Sequence, residues 1–316
     1  MEIAISAILT IVGLVMLCFG GNWLVSGGVA IAKKFRISNL VIGMTIVAYG
    51  TSTPELAASV AAAGEHSAII LGNIIGSNIA NVGMVIGIAA IIVPLAVSKS
   101  VLRKEIPIML GVSLLLVLIS IDGEIPQYDG VILLAGLGVF TYYTFKDAMK
   151  QRAENKEKEN KEKVELSKNN VYLKSAGLIG IGIVLLYIGA ILTVDNAVIL
   201  AKEFGLSEKV IGLTVIAIGT SLPELITSII AIRKGHADIG IGNIIGSNIY
   251  NILMIMGVGA VLGGVMVGAD VYVDYAIMII FSLSLLIALK TGIIGRPMGI
   301  ALTIGYIAYL IVTFFK

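Results

Sequence analysis

The chain has 316 residues, of which 58% are apolar and 13% charged, with a mean hydropathy of +1.02 and a net charge of +2. Soluble domains carry roughly 25% charged residues, so this composition excludes a water-soluble globular protein and puts most of the chain in lipid. The small net charge gives no reason to expect a nucleic-acid partner, and Cys18, the single cysteine, excludes an intrachain disulfide.

Apolar runs long enough to span a bilayer are predicted at 3–31, 39–62, 67–97, 103–121 and 126–146. After a hydrophilic stretch, five more follow at 172–201, 209–232, 238–267, 271–290 and 298–315. The reading is an all-α integral membrane protein of ten spans: a first repeat at 1–146, a linker at 147–170 and a second repeat at 171–316. The first run lacks a basic flank and a cleavage signal, so it reads as a retained span.

In the second span, Gly50-Thr51-Ser52-Thr53-Pro54 interrupts the helix. Pro54 has no N–H for the carbonyl of Gly50, and its ring pushes that turn open. Glu55 follows at once. Thr51 and Ser52 lie four and three residues before it, on its face of a near-helical segment. The third span carries Ser77 and Asn81, again four apart on one face, and a Gly72/Gly76 pair that reads as close helix packing. Residues 147–170, dense in Lys, Glu and Asn, read as a solvated connector. Asp195, alone in the sixth span, reads as an interfacial acid reached by water, with a place on an access path as the alternative. His66 and His236 sit at loop ends and read as solvated.

The seventh and eighth spans restate the second and third. VIGMTIVAYGTSTPEL at 41–56 matches VIGLTVIAIGTSLPEL at 210–225 in 11 of 16 positions, and GNIIGSNIAN at 72–81 matches GNIIGSNIYN at 242–251 in 9 of 10. The offsets are 169 and 170, so the chain is a duplication. With five spans in each half, the second copy enters the membrane from the opposite side, an inverted repeat whose site is expected near the midplane. Thr220, Ser221, Glu224, Ser247 and Asn251 repeat the first set, and Pro223 frees the carbonyl of Gly219. Ser77 and Ser247 also admit a plainer reading, bonding back to their own helices.

An intramembrane carboxylate costs at least about 2.5–3.5 kcal/mol at a helix centre. Glu55 and Glu224 sit at matching positions, and no basic residue in any span core is there to pair with them. Carboxylates, hydroxyls, amides and freed carbonyls make an oxygen-only ligand set, which suits Ca²⁺, Mg²⁺, Mn²⁺ or Na⁺ rather than Zn²⁺ or Cu⁺. Two carboxylates would neutralise one Ca²⁺. The basic residues divide 19 to 3 between alternate faces, which predicts both termini outside and the linker in the cytoplasm.

At GTSTPE and GTSLPE, each followed by GNIIGSNIxN, the sequence resembles the cation/Ca²⁺ exchanger superfamily, most of all its compact prokaryotic sodium/calcium exchanger-like branch. The likeness covers both halves. It implies cation ligands at Thr51, Ser52, Glu55, Ser77, Asn81, Thr220, Ser221, Glu224, Ser247 and Asn251, with the backbone carbonyls of Ala48 and Ala217. It implies a secondary antiporter of the cell membrane, functional as a monomer, with Ca²⁺ and Na⁺ as bound substrates and no cofactor. Related exchangers often hold Asp where this chain has Asn251, potassium-cotransporting ones included, which argues against potassium dependence. The proton-exchanging branch usually has Asn in place of the Thr-Ser pair, which favours Na⁺. H⁺/Ca²⁺ exchange is the alternative, and a cation channel is the alternative from another class. An enzyme is not expected: there is no intramembrane His, and no Ser/His or HExxH arrangement.

Overall fold

The computed structural model describes residues 2–64, 66–159, 170–205, 217–269 and 271–315. Most of the linker, the first part of the seventh predicted span, Lys209 and Lys316 lie outside the described residues.

The chain is helical almost throughout. Helix α1 (Glu2–Phe35) leads into α2 (Asn39–Thr51) and α3 (Thr53–Ala61), the two pieces of the second predicted span. Then come α4 (Ser67–Ile92), α5 (Ile106–Ile119, entered through a π turn at Val101–Glu105) and α6 (Gln127–Glu159). The second half holds α7 (Asn170–Glu203), the short α8 (Ala217–Thr220), α9 (Leu222–Arg233), α10 (Ala237–Gly263), α11 (Val271–Leu289) and α12 (Arg296–Phe315).

Among the described residues, seven helices are long and apolar enough to cross a membrane: α1, α4, α6, α7, α10, α11 and α12. Of the other three predicted spans, 39–62 is broken, and 209–232 is described only as Ala217–Thr220 and Leu222–Arg233. The run at 103–121 is an uninterrupted helix that runs through its π turn to Ile119 and carries Arg103, Lys104 and Glu105 at its start. Proline is one cause of the breaks: Ser52, with φ −82° and ψ 7°, leaves the helical region just before Thr53-Pro54, and Ser221 does the same at φ −89° and ψ 3° before Leu222-Pro223. The first part of the linker is helical, because α6 runs on to Glu159. Lys, Glu, Gln and Ala are strong helix formers even where hydropathy is low, so the helix outlasts its apolar stretch.

The large cluster of buried apolar side chains centres on α4 and α10, through Ile74, Ile79 and Val85 against Ile244, Ile249 and Ile255. The most apolar stretches of those two helices are 83% and 89% buried, against 22% for α1, so α4 and α10 form the centre and α1 lies at the periphery. A smaller cluster, including Leu17, Leu24, Leu186, Val47 and Ile239, joins the α1–α7 pair to α2 and α10. Helices α1 and α7 touch through glycines. A Cβ on Gly20 would stand 2.9 Å from the carbonyl oxygen of Gly182, and one on Gly182 would stand 2.9 Å from that of Gly20. Gly242 and Gly246 meet α2 in the same way, 2.7 Å from the carbonyls of Leu40 and Met44, as the packing reading requires. Gly72 and Gly76 meet no described atom within 4 Å, and the counterpart of Leu40–Met44 lies outside the described residues.

Four two-residue strands, which hydropathy does not reveal, tie the halves together. β1 (Leu95–Ala96) pairs antiparallel with β4 (Ile293–Ile294), and β2 (Glu124–Ile125) with β3 (Val265–Met266). The two pairs are copies of one arrangement: Val97 N donates to Gly292 O and Val267 N to Gly123 O, each at 2.8 Å. Gly123 and Gly292 hold φ of +88° and +68°, a turn geometry open to glycine at no steric cost.

Candidate functional site

The breaks at Ser52 and Ser221 lie side by side at the centre of the molecule, and α4 and α10 close around them. Both of those helices loosen into a π turn at the same repeat position, Asn81–Ile86 and Asn251–Met256. A π turn widens the backbone by one residue and re-aims the side chain that opens it, here Asn81 and Asn251.

All ten side chains expected as ligands sit on these elements, and nine are buried: Thr51, Ser52, Glu55, Ser77, Asn81, Ser221, Glu224, Ser247 and Asn251 have at most 3% of their surface exposed. Thr220 is half-buried, and the side chain of Ala217 is not among those described. Ser52 Oγ donates to Glu224 Oε1 at 3.2 Å across the two halves, and Ser247 Oγ donates to the same oxygen at 3.3 Å. Thr51 Oγ1 donates to Asn243 Oδ1 at 3.0 Å and stands 3.4 Å from Ser247 Oγ. Ser52 lies three residues before Glu55, so its bond to Glu224 sets the two glutamate-bearing turns against each other.

Buried polar groups are ordinarily hydrogen-bonded, so the exceptions are informative. Ten buried side-chain atoms among the described residues lack a partner, and six belong to the expected set: Glu55 Oε2, Ser77 Oγ, Asn81 Oδ1, Ser221 Oγ, Glu224 Oε2 and Asn251 Oδ1. All six are oxygens. Ser77 therefore does not bond back to its own helix, and Ser247 bonds Glu224 instead of a helical carbonyl. Ala48 O differs from the rest, since it already accepts from Ser52 N at 3.0 Å, with Thr51 Oγ1 3.3 Å away.

Spacing alone does not disclose four asparagines that hold this arrangement. Asn81 Nδ2 donates to Asn248 Oδ1 at 2.9 Å, and Asn251 Nδ2 to Asn78 Oδ1 at 3.0 Å. With its NH₂ group tied down, each amide keeps a buried oxygen without a partner. Asn78 is itself held by the bond from its Nδ2 to the backbone carbonyl of Asn248 at 3.2 Å, and Asn248 Nδ2 makes a looser 3.5 Å approach to that of Asn78. Farther along the same helices, Asn73 Nδ2 donates to Ser59 Oγ at 3.1 Å and Asn243 Nδ2 to Ser228 Oγ at 3.0 Å, which pins each helix to the glutamate-bearing helix beside it.

The bonding is lopsided. Ser52 caps Glu224, whereas its counterpart Ser221 leaves Glu55 uncapped. Beside the open half lies a crevice of about 560 Å³ lined by Pro54, Ala58, Val194, Asp195 and Thr220 among others. Asp195 is exposed there and shares the crevice wall with Thr220.

A helical membrane protein whose two duplicated halves close on a shared, dehydrated pair of carboxylates has the build of a transporter rather than of an enzyme. The family model described as sodium/calcium exchanger protein matches residues 5–146 and 174–315, and the chain belongs to that family of transporters. Among its relatives is inner membrane protein YrbG of Escherichia coli K12, 36% identical with 96% of this chain and 94% of that one covered. Another is the sodium/calcium exchanger MaX1 of Methanosarcina acetivorans, 32% identical over 99% of both chains. A solved structure of the sodium-calcium exchanger NCX_Mj superposes with a TM-score of 0.84 at 34% identity, covering 98% of this chain and 99% of that one.

Proposed function

We propose that the chain is a secondary antiporter exchanging Ca²⁺ for Na⁺ by alternating access. In this reading it is built as two inverted five-span repeats, 1–146 and 171–316, with both termini outside and the linker 147–170 cytoplasmic. The observation that carries it is the enclosed pair Glu55 and Glu224, surrounded by buried oxygens that have no partner within the protein. Ca²⁺ takes 6–8 oxygens, and the set holds both carboxylates, Ser77, Ser221, Asn81 and Asn251 ready for it. One Ca²⁺ neutralises the carboxylate pair. Adding Na⁺ to that state leaves a buried positive charge unbalanced, so the two ions compete, and competition couples their movements. An empty site with two bare buried charges crosses reluctantly.

The lopsided bonding supports a conformation open on one side. Asp195 and Ala58 lie toward the outer ends of their helices in the proposed orientation, so the crevice faces outward. Closing it would let Ser221 reach Glu55 as Ser52 now reaches Glu224.

The test is reconstitution. Vesicles loaded with Na⁺ and diluted into choline medium should take up radiolabelled Ca²⁺, and an imposed pH gradient without Na⁺ should not drive uptake. Uptake driven by the pH gradient and indifferent to Na⁺ would replace this reading with H⁺/Ca²⁺ exchange, and unitary currents in planar bilayers would replace it with a channel.

A further inference from the structure

The duplication supplies an internal comparison at the two ends of the molecule. Each strand pair borders a cleft between the start of one helix and the end of another, and in a duplicated chain the two clefts should match. They do not. Beside β2 and β3, Tyr272 lies over the turn, its Oη donating to the carbonyls of Ser120 at 3.0 Å and Ile121 at 3.2 Å. The opening against those strands, about 550 Å³, is lined by Ser67, Glu124, Gln127 and Met266 among others, with no basic residue among the described residues that line it. Beside β1 and β4, the position equivalent to Tyr272 at an offset of 170 is Leu102, which turns inward with 3% of its surface exposed. A pocket of about 200 Å³ stands open there, lined by Lys99, Arg103, Lys290 and Thr291 among others.

Lys99 and Arg103 come from the first half and Lys290 from the second, and the strand pairing brings them to one opening. None of the three makes an ion pair among the described residues. The equivalents of Lys99 and Arg103 in the other cleft are Ala269 and Val273. A topological preference for basic residues at the inner face accounts for their charge. It does not account for their convergence on a cavity.

We propose that this pocket binds the head group of an anionic phospholipid carrying hydroxyl groups, of the phosphatidylglycerol type. The phosphate sits among Lys99, Arg103 and Lys290, while a head-group hydroxyl reaches the carbonyls of the turn that Tyr272 covers at the other end. No side chain among the described residues bonds the carbonyl of Leu289 or Lys290. A zwitterionic head group with a quaternary ammonium fits poorly, because it brings a fourth cation and no donor. The exposed Ile287, Leu289 and Ile293 flank the opening and offer an apolar track for acyl chains. The inference rests on the orientation proposed above, which puts the pocket at the inner leaflet, but not on the identity of the exchanged ions.

The experiment is native mass spectrometry of the purified protein exposed to equal amounts of phosphatidylglycerol and phosphatidylcholine of matched chains. The unmodified chain should retain phosphatidylglycerol in preference. K99Q/R103Q/K290Q should lower that preference tenfold to a hundredfold, each basic side chain near an anionic surface being worth a factor of about five. A matched variant, K33Q/K146Q/R233Q, removes three charges from the same face outside the pocket and should keep the preference. Equal loss in both variants would reduce the effect to general surface charge and overturn the proposal. Displacement of the lipid by inorganic phosphate at equal concentration would overturn it as well, leaving a free-phosphate site. Neither arm measures transport, so an exchanger with no lipid preference would refute this inference and leave the exchange reading standing.

Discussion

Replacing Asn248 with alanine isolates the role of a residue that touches no carboxylate. Asn248 is 1% exposed and is the only described partner of Asn81 Nδ2, at 2.9 Å. Truncation leaves that NH₂ group buried and unpaired, at a cost of about 1–3 kcal/mol. The 3.5 Å contact from Asn248 to Asn78 O is too long to add much. A small void raises the total, giving an expected loss of about 2–4 kcal/mol in unfolding free energy. The functional effect is separate. Once Asn81 is free to turn, its oxygen is no longer held in place for the cation, and Ca²⁺ affinity should weaken by the worth of one such bond, about 0.5–1.5 kcal/mol or 2- to 12-fold. Isothermal titration of Asn81→Ala, Asn248→Ala and the double variant forms a cycle. A positioning role predicts a coupling energy of at least about 0.5 kcal/mol in Ca²⁺ affinity. Additive losses, within about 0.3 kcal/mol, would show that Asn248 supports the fold and does not aim Asn81.

Glu55→Gln and Glu224→Gln should each abolish Ca²⁺ flux in vesicles while leaving the protein inserted, because one carboxylate half-neutralises Ca²⁺ and an amide cannot bind it bidentately; normal uptake at saturating Ca²⁺ by either would sink the site. In calorimetric titrations, raising Na⁺ against a choline balance should weaken apparent Ca²⁺ affinity without lowering the saturating signal, and an unchanged affinity would rule out a shared site. Gly20→Ala should destabilise the α1–α7 contact by about 1–3 kcal/mol, since its Cβ would meet Gly182 O at 2.9 Å. Gly111→Ala, with no described neighbour within 4 Å, should be neutral or slightly stabilising in the same melting assay. In a Cys18→Ser background, an impermeant thiol reagent on intact cells should label Phe204→Cys and spare Met149→Cys; the reverse pattern would invert the proposed orientation.

The site is legible in the sequence because its chemistry conflicts with its surroundings. A carboxylate after a proline in an apolar run has no cheap structural explanation, and Glu55 and Glu224 present that conflict twice. The amides behind them are harder to read. Asn78 and Asn81 lie three apart, near one face of an ideal helix, and the π turn at Asn81 changes their relative direction in a way spacing does not disclose. Their repetition as Asn248 and Asn251 was visible, but repetition does not say which amide faces the ion and which holds it. Hydropathy locates the apolar runs but not their continuity, so the run at 39–62 is indistinguishable from the unbroken α4 and α10 until proline geometry intervenes. It also misjudges α6, where helix propensity outlasts apolarity. The strands escape notice altogether because two residues carry no period.

Those strands bear on how the protein is made. At about 5–20 residues per second, Leu95 leaves the ribosome roughly 10–40 s before Ile294, its partner. Ile125 likewise precedes Val265. Through that interval the N-terminal half holds unpaired backbone at both of its ends, and half of the amide lock, Asn78 without Asn248, stands unmatched in the bilayer. The first copy is therefore a template that stays incomplete until the second arrives. Severing the gene at the linker should yield two fragments that are each degraded alone and that survive when produced together.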